Sequence, residues 1–182
     1  LGKEQELWLE HCLLQNNANW NVIASPGPFL PFRFHVEGLE LAYIGAWDAY
    51  PANRQRIADT LNATKSGHPI ILSGDVHSFW AVDGRLIKDQ AERIPVVEFV
   101  TSSVSANWPP PLAIPVTDNL SHNPQVKFYE PDKRGYLLHE VSTGEWKTTA
   151  RGLEDVKDEK SSASNLASFL VSKGEPGFAR LY

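Results

Sequence analysis

Two residues of this chain combine the types and spacing that metal chemistry uses: Asp75 and His77, in the run Gly74-Asp75-Val76-His77. The run closes the apolar segment Pro69-Ile70-Ile71-Leu72-Ser73 and opens onto Ser78-Phe79-Trp80. It reads as a tight turn at the end of a buried strand. Two residues apart on extended chain, both side chains would point to one side. A carboxylate offers hard oxygen and an imidazole offers nitrogen, so the pair could hold two different cations or help bridge a pair. A strand that simply ends in a polar turn explains the same residues. From the motif alone the two readings balance.

Three further clusters carry polar groups. Trp47-Asp48-Ala49-Tyr50-Pro51-Ala52-Asn53-Arg54 lies at a helix start, with Pro51 suited to the first helical position and Arg54 placed to pair with Asp48. A helix N-terminus beside an arginine can also take a phosphate, but capping is the favoured reading here. Glu98-Phe99-Val100-Thr101-Ser102-Ser103 puts hydroxyls at a strand end. His122-Asn123-Pro124 and Arg134-Gly135-Tyr136 follow, with Asn123 read as a turn residue rather than a ligand. His11, His35, His68 and His139 have no matched partners nearby and read as structural or exposed. Glu92, Glu145 and the acidic stretch from Glu154 to Glu159 read as solvated surface. The sequence has no G-x-S-x-G elbow, Walker loop, C-x-x-C or H-E-x-x-H.

The elements that must position these groups follow from periodicity. Leu1, Trp8, Leu9, Cys12 and Leu13 make one stripe of a helix over Lys3 to Gln15, with Cys12 as core filler. Trp20 to Ser25 reads as a strand stopped by Pro26-Gly27-Pro28. Phe29 to Glu37 reads as irregular loop, and Leu39 to Gly45 as a second strand. A helix from Pro51 buries Ile57, Ala58 and Leu61 and ends at Gly67, before the strand Ile70-Ile71-Leu72. More strands are expected at Phe79 to Val82, Pro95 to Val104, Val126 to Tyr129, Gly135 to Val141 and Trp146 to Ala150. Asn107 to Pro124, with five prolines, reads as a long ordered loop. Lys157 to Ser164 is polar and leads to a short amphipathic helix carrying Leu166, Phe169 and Leu170. Gly174 and Pro176 break it before the apolar tail Phe178 to Tyr182. Helix and buried strand alternate early and strands dominate later, so the expected class is α/β, a mixed β-sheet with flanking helices.

The 182 residues are enough for one sizeable core, and the net charge of −5 with no basic run beyond Lys133-Arg134 argues against a nucleic-acid partner. No apolar run approaches the roughly 20 residues that span a bilayer, so no membrane partner is expected. One cysteine excludes an internal disulfide, and the lack of any methionine, with a helix from the first residues, suggests part of a longer polypeptide.

Taken in order, several segments resemble the PhoD-like alkaline phosphatases, which are calcineurin-like metallophosphoesterases. They are Leu1-Gly2 with Gln5, Trp8 and Leu9; Trp20-Asn21-Val22-Ile23; Trp47-Asp48-Ala49-Tyr50-Pro51 with Arg54; and Leu72-Ser73-Gly74-Asp75-Val76-His77-Ser78. Val97-Glu98-Phe99 with Thr101-Ser102-Ser103, Asn123-Pro124 and Arg134-Gly135-Tyr136 continue the series. The resemblance implies the C-terminal half of the catalytic domain, residues 1–152, followed by a polar segment and short helix, 153–182. It implies half of a four-layer α/β/β/α sandwich and a phosphatase or phosphodiesterase acting on phosphate esters through two metals. Asp75 and His77 would be the last metal motif, Gly-His-x-His in most relatives, with His77 on iron and Asp75 facing calcium. An Asp in place of a His suits a harder cation. The reading Ser25-Pro26-Gly27-Pro28, where typical relatives place a ligand His, fits the same shift. Asp48 and Arg54 become substrate-binding candidates, with scaffold support favoured. The earlier metal motifs are absent, so the expectation is an inactive chain that needs the missing N-terminal half or pairs as a homodimer through an exposed half-core. A non-catalytic binding or structural module is the alternative. Family members are commonly secreted, periplasmic or at the bacterial cell surface.

Overall fold

Adjacent isoleucines in one strand show how the molecule is layered. The computed structural model describes residues 1–64, 68–106, 110–175 and 177–182, with the side chains of 110–112 outside that description. Helix α1 (Lys3–Gln15) leads to β1 (Trp20–Ala24), the hairpin of β2 (Arg33–Val36) and β3 (Leu39–Ala42), and α2 (Pro51–Ala63). Then come β4 (His68–Ser73), β5 (Phe79–Asp83), β6 (Val97–Val100), α3 (Pro110–Asn119) and β7 (Val126–Glu130). The chain closes with β8 (Gly135–Val141), β9 (Glu145–Leu153), β10 (Ala163–Ser172) and β11 (Arg180–Leu181).

A five-stranded mixed sheet has the order β1-β4-β6-β5-β7, with β1, β4 and β6 parallel and β5 and β7 antiparallel. An antiparallel sheet, β11-β10-β9-β8, packs on one of its faces. In β4, Ile70 joins Ala81, Val97, Phe99, Trp146, Phe169 and Val171 between the two sheets. Its neighbour Ile71 joins Leu13, Ile57, Ala58 and Leu61 under the helices. A strand buried on both faces needs a continuous apolar run rather than an alternating one, which is why Pro69 to Leu72 looks as it does. Each such side chain contributes about 1.5–3 kcal/mol by leaving water. The layering is therefore α/β/β, with Tyr136 and Leu138 of β8 exposed on the outer face of the second sheet. No helix of the described residues is long and apolar enough to cross a membrane.

Several expectations are corrected. Phe29 to Glu37 is not all loop, because Arg33–Val36 pairs with Leu39–Ala42 across Glu37-Gly38. Both turn residues are left-handed, with φ of 51° and 80°, the conformation a two-residue hairpin loop demands. The proline-rich stretch contains a helix, Pro110–Asn119. Prolines in a first turn forfeit no helical hydrogen bond, so only Pro115 interrupts it. Asn107 to Pro109 lie outside the described residues, as do Gly67 and Pro176. The expected amphipathic helix at Leu166, Phe169 and Leu170 is the strand β10, paired along its length with β9. A bulge between Asn165 and Ala167 inserts Leu166 as an extra residue, and that shift turned a two-residue period into one resembling a helix. Residues beyond 152 thus build half of the second sheet. In α1 only Leu13 is buried; Trp8 is 62% exposed and Cys12 is exposed, so the cysteine is not core filler.

Candidate metal centre

The Asp75/His77 segment is tighter than an extended strand end. Because β6 lies between β4 and β5, residues Gly74 to Ser78 must pass over the end of β6 and reverse direction. That is a lateral step of about 10 Å, two strand spacings, in five residues. The chain manages it with left-handed backbone at two non-glycine positions, Asp75 at φ 75° and His77 at φ 48°. Val76 N–H bonds back to the Gly74 carbonyl at 3.0 Å, so Asp75 is the centre of a γ-turn of the rarer, strained hand. Each such residue costs of order 1–3 kcal/mol and persists only where its surroundings over-determine it.

Those surroundings are specific. Thr101 N–H donates to the Ser73 carbonyl at 2.8 Å, which ties the start of the turn to the end of β6. Ser78 is fully buried; its hydroxyl donates to the Val76 carbonyl at 2.9 Å and accepts from Trp80 Nε1 at 2.8 Å. The His77 carbonyl accepts from Arg134 Nη1 and from Ser102 Oγ, the latter at 3.2 Å. Below the turn, the Glu98 carboxylate is 1% exposed and accepts from Ser73 Oγ at 2.6 Å and from Phe29 and Leu30 N–H, each at 2.8 Å. It thereby locks the loop after β1 to the end of β4. Burial pushes the Glu98 carboxyl up, against the lowering effect of those donors and of Arg54.

Asp75 is exposed and borders a cleft of about 330 Å³ whose walls include Pro26, Gly27, Ala46, Trp47 and Tyr50. A side chain added at Gly27 would come within 3.7 Å of Asp75 Oδ2, so the glycine keeps that face of the carboxylate open. His77 is half-buried and is not part of the cleft wall. Among the described residues no group of three or more His, Cys, Asp and Glu is arranged to hold a metal. The donor types fit cation binding, but two donors are fewer than the three or four that zinc-like ions take or the six to eight of calcium.

Asp48 and Arg54 are brought together, and with partners the sequence did not reveal. Asp48 Oδ1 accepts from Arg54 Nη1 and from Arg33 Nη1, the latter at 2.8 Å. Glu92 Oε1 completes the network, 2.6 Å from Arg33 Nη2 and 3.1 Å from Arg54 Nη2. Arg54 is 4% exposed, and Glu92 is an ion-pair member rather than free surface. Asn123 is a splice, its amide bonded to Arg33 N–H and carbonyl, to the Asn119 carbonyl and to Gln125. His139 sits between the sheets against Thr148 and Trp146, and burial lowers its pKa. Glu98 and Arg134 stood in the quoted motifs without a role. The signal for Glu98 was a lone charge in the apolar run Pro95 to Val100, because a carboxylate in a buried strand must be paired or bonded.

Helices on a mixed sheet, backed by a second sheet and carrying a polar donor turn at a strand's C-terminal end, define a metallophosphoesterase-type sandwich. Residues 1–150 match the PhoD-like phosphatase family, and the chain belongs to it. It is 31% identical over 183 aligned positions to the alkaline phosphatase D of Bacillus subtilis (strain 168), covering all of this chain and 31% of that protein. A solved structure described as that of PhoD superposes with a TM-score of 0.81 at 29% identity, over 95% of this chain and 33% of the other. The chain spans about a third of the length of these relatives.

Proposed function

We propose that this chain forms the C-terminal part of a phosphoesterase catalytic domain that hydrolyses phosphate esters with two cations. In this reading Asp75 and His77 each supply one ligand, His77 to an iron and Asp75 to a calcium. The observation that carries it is the left-handed turn at Asp75 and His77, held by buried groups at the C-terminal end of a parallel strand. When bound, such cations polarise the phosphoryl oxygen and stabilise charge during displacement. The chain's own residues keep the carboxylate open beside Gly27 and fix the turn from below through Ser102, Arg134 and Glu98. Asp48 and Arg54 serve as scaffold, since the arginine is buried and held by two carboxylates.

Two donors leave the site incomplete, so the remaining ligands belong to the upstream part of the family domain. The open edge of β1 and the groove of about 450 Å³ beside it, which includes Trp8, Leu9, Val22 and Ile23, are the docking surface for that part. The test is hydrolysis of a nitrophenyl phosphate ester with added Ca²⁺ and Fe³⁺. We expect none from the 182-residue chain and metal-dependent turnover when it is assembled with the upstream part of a family domain. Asp75→Ala and His77→Ala should each cut that turnover by at least about 10²-fold. Turnover by the chain alone would sink the incomplete-site reading, and full activity in either variant would sink the ligand assignment.

A further inference from the structure

We infer that Arg134 is a positioning residue for His77, and that it works through the backbone; the inference rests on reading the Asp75/His77 turn as a metal turn. Rotation about φ moves a residue's carbonyl carbon and Cβ together, so a donor that holds the His77 carbonyl in the left-handed turn also restricts the Cα–Cβ direction from which the imidazole projects. Arg134 is that donor. Arg134 is 5% exposed, and among the described residues no carboxylate comes within salt-bridge distance of it.

A buried cation with no carboxylate in direct contact needs hydrogen bonds to its charged form, and the nearby Asp132 and Glu130 favour that form as well. Here those bonds are the His77 and Ala106 carbonyls, the Pro131 carbonyl at 2.5 Å, and the Ser102 and Ser103 hydroxyls at 3.2 and 3.3 Å. Among the described residues Nε has no partner, and the two terminal nitrogens make all of these bonds. Arg134 stands at the entry to β8, so the strained turn of the first sheet is gripped from the second. Glycine cannot be what keeps His77 left-handed; Arg134 and Ser102 both bond its carbonyl.

Charge and grip predict opposite outcomes. A guanidinium near a cation site repels the cation, so if charge alone mattered, Arg134→Met would tighten metal binding. If grip matters, the same change weakens it. The experiment compares the 182-residue chain with its Arg134→Met, Arg134→Lys and Arg151→Met variants. Arg151 lies in β9 and bonds Asn165 and Ala163, away from the turn, and controls for lost stability. The one-bond Cα–Hα coupling at Asp75 and His77 reports the sign of φ without any metal; with each chain assembled with the upstream part of a family domain, Mn²⁺ titration reports binding through line broadening at residues 75–77.

We expect Arg134→Met to move His77 out of the left-handed region and weaken Mn²⁺ about 10–100-fold, the range for losing an orienting contact. Arg134→Lys, which keeps charge without the fork, should fold and show the same direction of change, whereas Arg151→Met should alter neither readout. A positive φ at His77 retained in Arg134→Lys or in folded Arg134→Met overturns the inference, as does tighter Mn²⁺ binding in Arg134→Met. If the unaltered chain, assembled with the upstream part of a family domain, shows no broadening at the turn, the metal reading falls while the coupling comparison still decides the role of Arg134.

Discussion

Glu98 does most of its work by holding others. Its two oxygens receive three donors, two on Oε1 and one on Oε2. An amide in its place would turn an N–H₂ toward Leu30 N–H or toward the pair at Phe29 and Ser73. Glu98→Gln is therefore expected to cost about 1–3 kcal/mol, measured by urea unfolding. The pH dependence has a definite sign. Burial raises the folded pKa above the ordinary 4.5, so the folded state holds the proton longer than the unfolded one. The resulting stabilisation is fully present below about pH 4.5 and is lost as pH rises through the folded value. The gap between the natural chain and Glu98→Gln should be widest at and below about pH 4.5 and narrow as pH rises; a gap that widens with pH would contradict this assignment. At this scale the sequence was legible in type but not in partnership. Asp75 and His77 stood out because ligand types at close spacing are a local signal. Arg134 and Glu98 did not, because their partners lie 57 and 25 residues away along the chain.

Elements were legible where one period ran unbroken. Helix α1, Lys3–Gln15, and the run of β4 were read correctly because apolar residues on one stripe, or in a run buried on both faces, leave an unambiguous pattern. Strand β10 was read as a helix because the bulge at Leu166 adds one residue, after which Phe169 and Val171 regain strict alternation into the sheet interface. The β2–β3 hairpin was missed because its turn is Glu37-Gly38 rather than Asn-Gly. That turn offers a clean test. Nothing lies within 4 Å of a Cβ placed on Gly38, so Gly38→Ala meets no clash and pays only for its φ of 80°. The expected loss is about 1–2 kcal/mol, localised to the hairpin and seen as faster amide exchange at Arg33–Val36 with little change across β4.

At the scale of the molecule, three layers are present and one of their exposed sides is apolar. The α1 stripe marked out in the sequence is apolar, yet Trp8 is 62% and Val22 of the edge strand β1 is 48% exposed. Periodicity shows which residues form a face but not whether that face is covered by the same chain. Charging both positions, Trp8→Lys with Val22→Lys, should leave the melting temperature within a few degrees and reduce self-association or assembly with the upstream part at least about tenfold. Light scattering reads the first and co-elution the second. A large drop in melting temperature would instead mark these residues as part of the chain's own core. The turn at Asp75 and His77 adds a consequence in time. It lies over β6 and is gripped by residues 102 and 134, so it cannot take its shape as residues 74–78 leave the ribosome. Roughly 60 further residues, at about 5–20 per second, must be made first. During those seconds nothing yet holds Asp75 and His77 in the left-handed conformation, and in the proposed reading the order of synthesis alone delays metal loading.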